Sequence, residues 1–345
     1  MKKLIALMLL ASFIFLSLVS CSSESDSHKE GYYTRTQRNE TGRLSVSLSR
    51  VSKGENDEEI YLEDEELKKI YTEALDVFES AYYFISANSE NGPLEDVNAA
   101  VNKVFDMDSS LLNEISFAIE LQGLTDGMYD PSYGSLTAVL KENTSPDSTS
   151  IEEALSHTGC DKITLSDSTL IKSDAALAID LYALADGYAL SKVVDFLKET
   201  PVSYGTVTYN GIAGVFGKKP DGEPFLVDIG DGTENGRDGS FQITDGYVAL
   251  VSKSFGQAFD LTDGILEPCL EKSAVYCSDA RIAAVLSSIA YSHGSEALLS
   301  LYEKEGLSFE AVLTEKDLSK TFTKNAKENG LYLEETAPAD SNSVK

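Results

Sequence analysis

The 345-residue chain contains no tryptophan, four cysteines, three histidines and eight prolines, and sets only 28 basic residues against 57 acidic ones. Each scarcity removes a class of explanation. Four cysteines are too few for a disulfide-stapled scaffold, and Cys160, Cys269 and Cys277 show no C-x-x-C spacing. A Cys269–Cys277 pairing is open, with nothing in its favour. His28, His157 and His293 are too scattered to suggest a zinc site. A formal charge of −29 argues against nucleic acid as a partner and against electrostatic docking on anionic lipid; its plainest meaning is a well-solvated surface. No Walker A loop or GxGxxG fingerprint occurs, and no internal repeat. What is present is a 42% hydrophobic composition, that of a globular protein. The chain is long enough for one large domain or two.

The N-terminus is the first informative stretch. Lys2 and Lys3 precede an apolar run from Leu4 to Val19, which ends in Leu18-Val-Ser-Cys21. A charged n-region before an apolar h-region is the pattern of a secretory signal. The Leu-x-Ser-Cys ending resembles the bacterial lipobox, whose cysteine is acylated and becomes the new N-terminus. A plain signal peptide or signal anchor is the alternative. Stable anchoring takes more than one acyl chain, which bacterial lipoproteins usually carry. Residues 1–21 are therefore expected to be a lipoprotein signal ending at Cys21, which places the mature protein outside the cytoplasm on a membrane.

Residues 22–42 are rich in Ser, Glu, Arg, Thr and Asn and read as a flexible tether. The main domain is expected over 43–320, with a polar, frayed tail over 321–345. Leu44-Ser-Val46-Ser-Leu48 alternates as a half-buried strand does. Leu67, Ile70, Tyr71, Ala74, Leu75, Phe78 and Tyr82 recur at helical spacing behind an acidic start, which suits the positive end of a helix. Leu111 to Leu124 is a second apolar-striped helix, and 141–150 a polar surface loop. Strands are expected at 162–165, 169–171, 176–181, 206–217, 241–243 and 247–251. Pro224 to Ile229 should continue the same sheet, and 230–240 should form a hairpin or loop. Strands and helices interleave without a strict βαβ rhythm, which predicts an α+β fold, mixed sheets packed with helices.

The chain pivots on Leu177-Ala-Ile-Asp180-Leu-Tyr182-Ala183-Leu-Ala185-Asp186-Gly187-Tyr188. An apolar strand should end at Asp180, small residues follow, and a helix should open around Gly187. Such a turn lets backbone approach a ligand and offers helix N–H groups to an anion. An ordinary strand-to-helix turn would read the same way. Upstream, Asp126-Gly127-Met128-Tyr129-Asp130-Pro131-Ser132-Tyr133-Gly134 combines two glycines with a proline fixed after an acid. An aromatic beside an acid in such a loop can line a ring pocket and accept a hydrogen bond. A purely structural turn remains the alternative.

Together these segments resemble the FAD:protein FMN transferases, the ApbE family of thiamine-biosynthesis lipoproteins. The pivot is similar to the family's Asp-Leu-Gly-Gly-Ile-Ala-Lys-Gly-Tyr-Ala segment. The loop before it is similar to Gly-Ala-Phe-Asp-Pro-Thr-Val-Gly. Ser86-Ala-Asn-Ser89-Glu90 and Val97-Asn98 resemble Ser-x-Tyr…Ser-Glu…Leu-Asn, without the tyrosine that contacts flavin in the family. The turn at Thr206 to Gly217 resembles Val-Asn-Leu-Gly-Gly-Asp-Ile. The resemblance spans about residues 44–315. It implies Mg²⁺-dependent transfer of FMN from FAD to a Thr or Ser of an extracytoplasmic flavoprotein, with Met128, Tyr129, Asp130, Asp180 and Asp186 as flavin contacts; a catalytically silent lipoprotein that binds flavin or a partner is the alternative.

The resemblance also implies Mg²⁺, held in the family by a backbone carbonyl of the pivot and by Asp and Thr of an Ala-Asp-Ala-Leu-Ala-Thr helix. Those positions fall here on Ala183, Ala284 and Ser288. Asp279 is no replacement, because nine residues of helix put it about 13 Å from Ser288 along the axis. The family's His-Ile-Ile-Asp-Pro-Arg-Thr-Gly falls on Gln257-Ala-Phe-Asp260-Leu-Thr-Asp263-Gly264, and its pivot lysine on Asp186. Asp180, Asp186 and Asp260 could form a shifted metal site, or be ordinary exposed carboxylates. The lipobox reading has its own test: Cys21→Ala should move the protein from the membrane to the soluble fraction, and continued retention would contradict acylation.

Overall fold

The computed structural model describes residues 31–38, 42–53, 58–87, 89–104, 106–143, 146–230, 239–253 and 267–333. Its centre is an eight-stranded sheet of β1 (Tyr32–Arg38), β2 (Arg43–Ser49), β8 (Tyr204–Tyr209), β9 (Ile212–Gly217), β12 (Gly246–Ser252), β13 (Lys272–Cys277), β14 (Phe309–Thr314) and β15 (Lys320–Phe322), in that spatial order. Every neighbouring pair is antiparallel. A second sheet joins β10 (Phe225–Asp228), β11 (Gly239–Ile243) and β16 (Leu331–Leu333). Two small sheets complete the set: β3 (Val51–Lys53) with β4 (Glu59–Tyr61), and β5 (Lys103–Val104), β7 (Thr169–Lys172) and β6 (Ile163–Ser166).

Alternation along the central strands explains the layering. All seven residues of β12 and all six of β14 are buried, so both faces of the sheet are covered. Tyr247, Ala249 and Val251 join the core that contains the helices. Val248 and Leu250 pack instead with Phe225, Phe241, Ile243 and Leu331 of the small sheet. The molecule is thus helices, large sheet and small sheet in three layers. The helices are α1 (Asp64–Ile85), α2 (Pro93–Ala99), α3 (Ser109–Leu124), α4 (Gly134–Glu142), α5 (Ser148–Ser156), α6 (Tyr182–Lys198), α7 (Ala280–His293) and α8 (Ser295–Leu301). In α1 the buried residues are Leu67, Ile70, Tyr71, Ala74, Phe78 and Ile85, behind a first turn of Asp64, Glu65 and Glu66. The expected α+β class holds, with antiparallel ladders throughout and one isolated parallel bridge, Tyr133 to Ala178.

Several local expectations give way. Residues 176–181 form no strand beyond that bridge, since their partners are the loop before α4 and not a sheet. The pivot helix opens at Tyr182, five residues before Gly187. Gly187 lies inside α6 because an added Cβ there would stand 2.5 Å from the Ala280 carbonyl oxygen of α7. Of 141–150, the two ends belong to α4 and α5. Phe225–Asp228 pairs with β11 in the small sheet, not the large one. Tyr32–Arg38, placed in the tether, is an edge strand on β2. The chain beyond Lys320 is ordered through Leu333, where β16 pairs with β11. Cys160, Cys269 and Cys277 are free thiols. The lipobox, the stretch 254–266 with Gln257, Asp260, Asp263 and Gly264, and residues 334–345 lie outside the described residues.

The β8–β9 hairpin turns at Asn210 and Gly211, both with positive φ (45° and 85°), the conformation a two-residue turn needs to match strand twist. The α6–α7 contact yields a stability prediction. Gly187→Val should destabilise the protein by about 3 kcal/mol, read as a lower urea midpoint at unchanged m-value. Wild-type stability would mean that the two backbones are not in close contact.

Candidate functional site

The site grows from three stretches that meet ahead of α6. The first closes α3: Asp126 and Gly127 take positive φ (53° and 79°), and Gly127 N–H reaches back to the Gln122 carbonyl at 2.9 Å. This left-handed cap redirects the chain into Met128, Tyr129 and Asp130. The second stretch is 177–181. Asp180 N–H donates to the Pro131 carbonyl (2.9 Å) and Gly134 N–H to the Ala178 carbonyl (3.0 Å). An added Cβ at Gly134 would lie 2.6 Å from that carbonyl, so glycine is what allows the approach. The third is α4, whose Thr137 and Lys141 stand one turn apart on one face.

These stretches converge on the Asp180 carboxylate, 3% exposed. Its Oδ2 accepts from Thr137 Oγ1 at 2.8 Å and from Lys141 Nζ at 3.2 Å. Its Oδ1 accepts from Tyr182 N–H, the first of α6, at 2.9 Å, from one residue before the N-cap Leu181. Asp130, also buried, accepts at Oδ1 from Ser132 N–H (2.8 Å), Ser132 Oγ (2.6 Å) and Cys160 Sγ (3.3 Å). Ser132 Oγ in turn accepts from Gly159 N–H at 2.7 Å, which ties the loop to the chain after α5. Burial and the neighbouring Asp130 push the Cys160 thiol up. It is a protonated donor, not a nucleophile.

Tyr129 is fully buried, its ring 5.3 Å from that of Tyr182. Its hydroxyl points to the Leu181 carbonyl at a long 3.5 Å. Burial pushes both phenols up, with Asp180 and Asp130 adding to the effect. Asp186, half-buried on the first turns of α6, is pushed up to about 7 by desolvation, against a hydrogen bond from Asn210 and with help from Asp180. The sequence-derived contacts Tyr129, Asp130, Asp180 and Asp186 therefore share one neighbourhood, while Met128 is partly buried against the main core. Thr137, Lys141, Tyr182, Asn210 and Ser132 belong to it as well. The i, i+4 spacing of Thr137 and Lys141 was the one available signal for them.

The proposed cation ligands sit on the facing helices. Gly187 abuts Ala280, and Ser191 and Asp195 line a cleft with Ser278 and Arg281, so α6 runs on past the start of α7 and the two are antiparallel. Ala183 lies one turn before Gly187 on α6, and Ala284 one turn after Ala280 on α7. Ala284 is buried and Ser288 half-buried. Asp279 caps α7 by accepting from Arg281 N–H at 2.8 Å. Among the described residues no group of three or more His, Cys, Asp or Glu could hold a metal ion. Asp180 already has its oxygens engaged, and Ala284 offers only a methyl. The residues described do not suit Mg²⁺, which wants several oxygen ligands in near-octahedral array.

The sequence profile of the ApbE family matches residues 55–312. A curated FAD:protein FMN transferase of Vibrio cholerae is 28% identical over 131 residues, 36% of this chain and 39% of that protein. This match thus spans well under half the length of that relative. Among solved structures, a protein of the same family from Thermotoga maritima superposes with TM-score 0.74 at 19% identity, over 87% of this chain and 99% of that one. The apo flavinyl transferase of Pseudomonas stutzeri gives 0.71 at 20% identity, over 89% and 100%. The Vibrio cholerae flavin transferase gives 0.71 at 17%, over 86% and 99%.

Asp186 supplies a pH test. Its folded value of about 7 lies above the ordinary 3.8, so the folded state binds the proton more tightly than the unfolded chain. Its destabilising contribution is absent below about pH 4, grows between about 4 and 7, and is complete above that. Asp186→Asn should therefore stabilise the protein at pH 8 and have little effect at pH 4. An equal shift in unfolding midpoint at both values would refute the assignment.

Proposed function

The chain belongs to the ApbE family, and on that premise we propose that it is an extracytoplasmic, lipid-anchored flavin-nucleotide-binding protein. In this reading FAD lies with its ring beside Met128, Tyr129 and Asp130, and Asp180 and Asp186 face the remainder of the nucleotide. Tyr129 supplies a desolvated aromatic wall, and Asp180, engaged by Thr137, Lys141 and the Tyr182 N–H, holds the pivot in place behind it. The first N–H of α6 already donates to Asp180, so a phosphate there must compete with a carboxylate and gains from Lys141 instead. Anchoring rests on acylation of Cys21.

The family reaction moves FMN from FAD to a Thr or Ser hydroxyl of a flavoprotein. The pyrophosphate P–O bond breaks, the hydroxyl oxygen bonds to the FMN phosphorus and gives up its proton, and AMP leaves. Charge on the pyrophosphate must be offset as that bond breaks, which is the service of a divalent cation such as Mg²⁺. Ala284, a methyl where the family resemblance implies a carboxylate, is what supports the binding reading over the transfer reading. The Ala183 carbonyl and the Ser288 hydroxyl remain as neutral donors, a weak pair for a doubly charged ion. Mg²⁺-dependent FMN transfer is the second reading, favoured by the family match along most of the chain.

One assay separates the two. The chain without residues 1–21 is incubated with FAD, Mg²⁺ and a flavin-accepting domain, and the acceptor is inspected for covalent fluorescence on a denaturing gel. The expected outcome is FAD binding by titration without covalent product, and Ala284→Asp should then bring transfer. Covalent product from the unaltered chain would establish the transferase reading. No FAD binding would remove the flavin reading altogether.

A further inference from the structure

Lys172 ends β7 and is only 2% exposed. A buried ammonium is costly unless its charge is met, and among the described residues none of its ion pairs reaches a carboxylate. Its Nζ instead donates to two main-chain carbonyls, Asn98 at 2.9 Å and Leu177 at 3.1 Å. Its own N–H donates to the Asn102 carbonyl at 2.7 Å. Burial pushes its pKa down and Asp174 opposes that. Asn98, on α2, carries the connection onward. Its Nδ2 donates to the Ile179 carbonyl (2.8 Å) and its Oδ1 accepts from Ile179 N–H (2.7 Å), so the side-chain amide pairs with Ile179 as a neighbouring strand would. Residues 177–181 have no sheet ladder, and this pairing supplies what a ladder would have supplied.

We propose that Lys172 and Asn98 are positioning residues for the candidate flavin site: the buried ammonium gathers the Asn98 and Leu177 carbonyls, and the Asn98 amide then sets Ile179 and, one residue on, the Asp180 carboxylate that accepts from the first N–H of α6. Neither residue touches the ligand. The arrangement places a cation, with its strong charge-assisted hydrogen bonds, behind a segment that has no sheet ladder and bears the buried Asp180. Its ligand consequence rests on the proposed reading of the pivot region as a flavin site; its structural consequence does not.

The test uses the full chain purified in detergent, with FAD as probe, and compares Lys172→Met, Asn98→Ala and Thr323→Val. Thr323 bonds to Glu310 on β14, strands away from the pivot, and controls for general destabilisation. In Lys172→Met and Asn98→Ala the FAD Kd should rise about tenfold, equivalent to about 1.4 kcal/mol. Hydrogen exchange at the Tyr182 amide, which Asp180 holds, should quicken by a similar factor. Thr323→Val should leave both unchanged even where it lowers the melting temperature. Lys172→Arg, which keeps donors to both carbonyls, should restore part of each. If Lys172→Met does not fold, Asn98→Ala decides. Should the wild-type chain fail to bind FAD, the flavin reading falls while the Tyr182 exchange still judges the clamp. Wild-type exchange at Tyr182 in Asn98→Ala would overturn the proposal.

Discussion

A single buried carboxylate, that of Asp180, holds the site end of this protein together. Removing such a group from water is unfavourable by several kcal/mol unless donors replace the lost solvent. Three do: a hydroxyl and an ammonium from α4 and the first N–H of α6. α4 is turned toward the pivot because Thr137 and Lys141 share a face. α6 begins at Tyr182, whose N–H donates to Asp180. The loop of Tyr129 and Asp130 is drawn in because the Asp180 N–H needs the Pro131 carbonyl.

Behind that carboxylate stands the packing of α6. Its buried stripe includes Leu184, Ala185, Tyr188, Ala189, Val193, Val194 and Leu197, and it lies against α1, α7 and the β8–β9 hairpin. Full burial of such side chains stabilises by roughly 1.5–3 kcal/mol each for the larger ones, which makes the helix the rigid element the site is built on. Small residues at its crossing with α7, Gly187 against Ala280, let the two backbones approach.

Reading the chain by pattern reached the helices with strong stripes, the alternating strands and the class of fold. Leu67 to Phe78 and Leu44 to Leu48 signal their periods locally, and burial follows from them. Pattern reading failed where a partner decides the outcome. Residues 176–181 are as apolar as a strand, yet their hydrogen bonds go to Pro131, Gly134 and the Asn98 amide. Gly187 looks like a helix start because glycine interrupts helices in isolation, whereas here it makes room for Ala280. The last of the described strands, Leu331–Leu333, lies in a polar stretch and pairs with the edge that β11 offers.

The sequence by itself determined the family, the α+β class, the candidate acids and the methyl at position 284, because these depend on residue identity and order along the chain. Only the tertiary structure decided which groups share a neighbourhood: Lys141 with Asp180, Asn210 with Asp186, Lys172 with Asn98. Such pairs lie tens of residues apart, and no local period records them. Their ionisation likewise depends on burial and on neighbours, and a carboxyl near 7 beside one held by an ammonium arises only when the chain has closed around both.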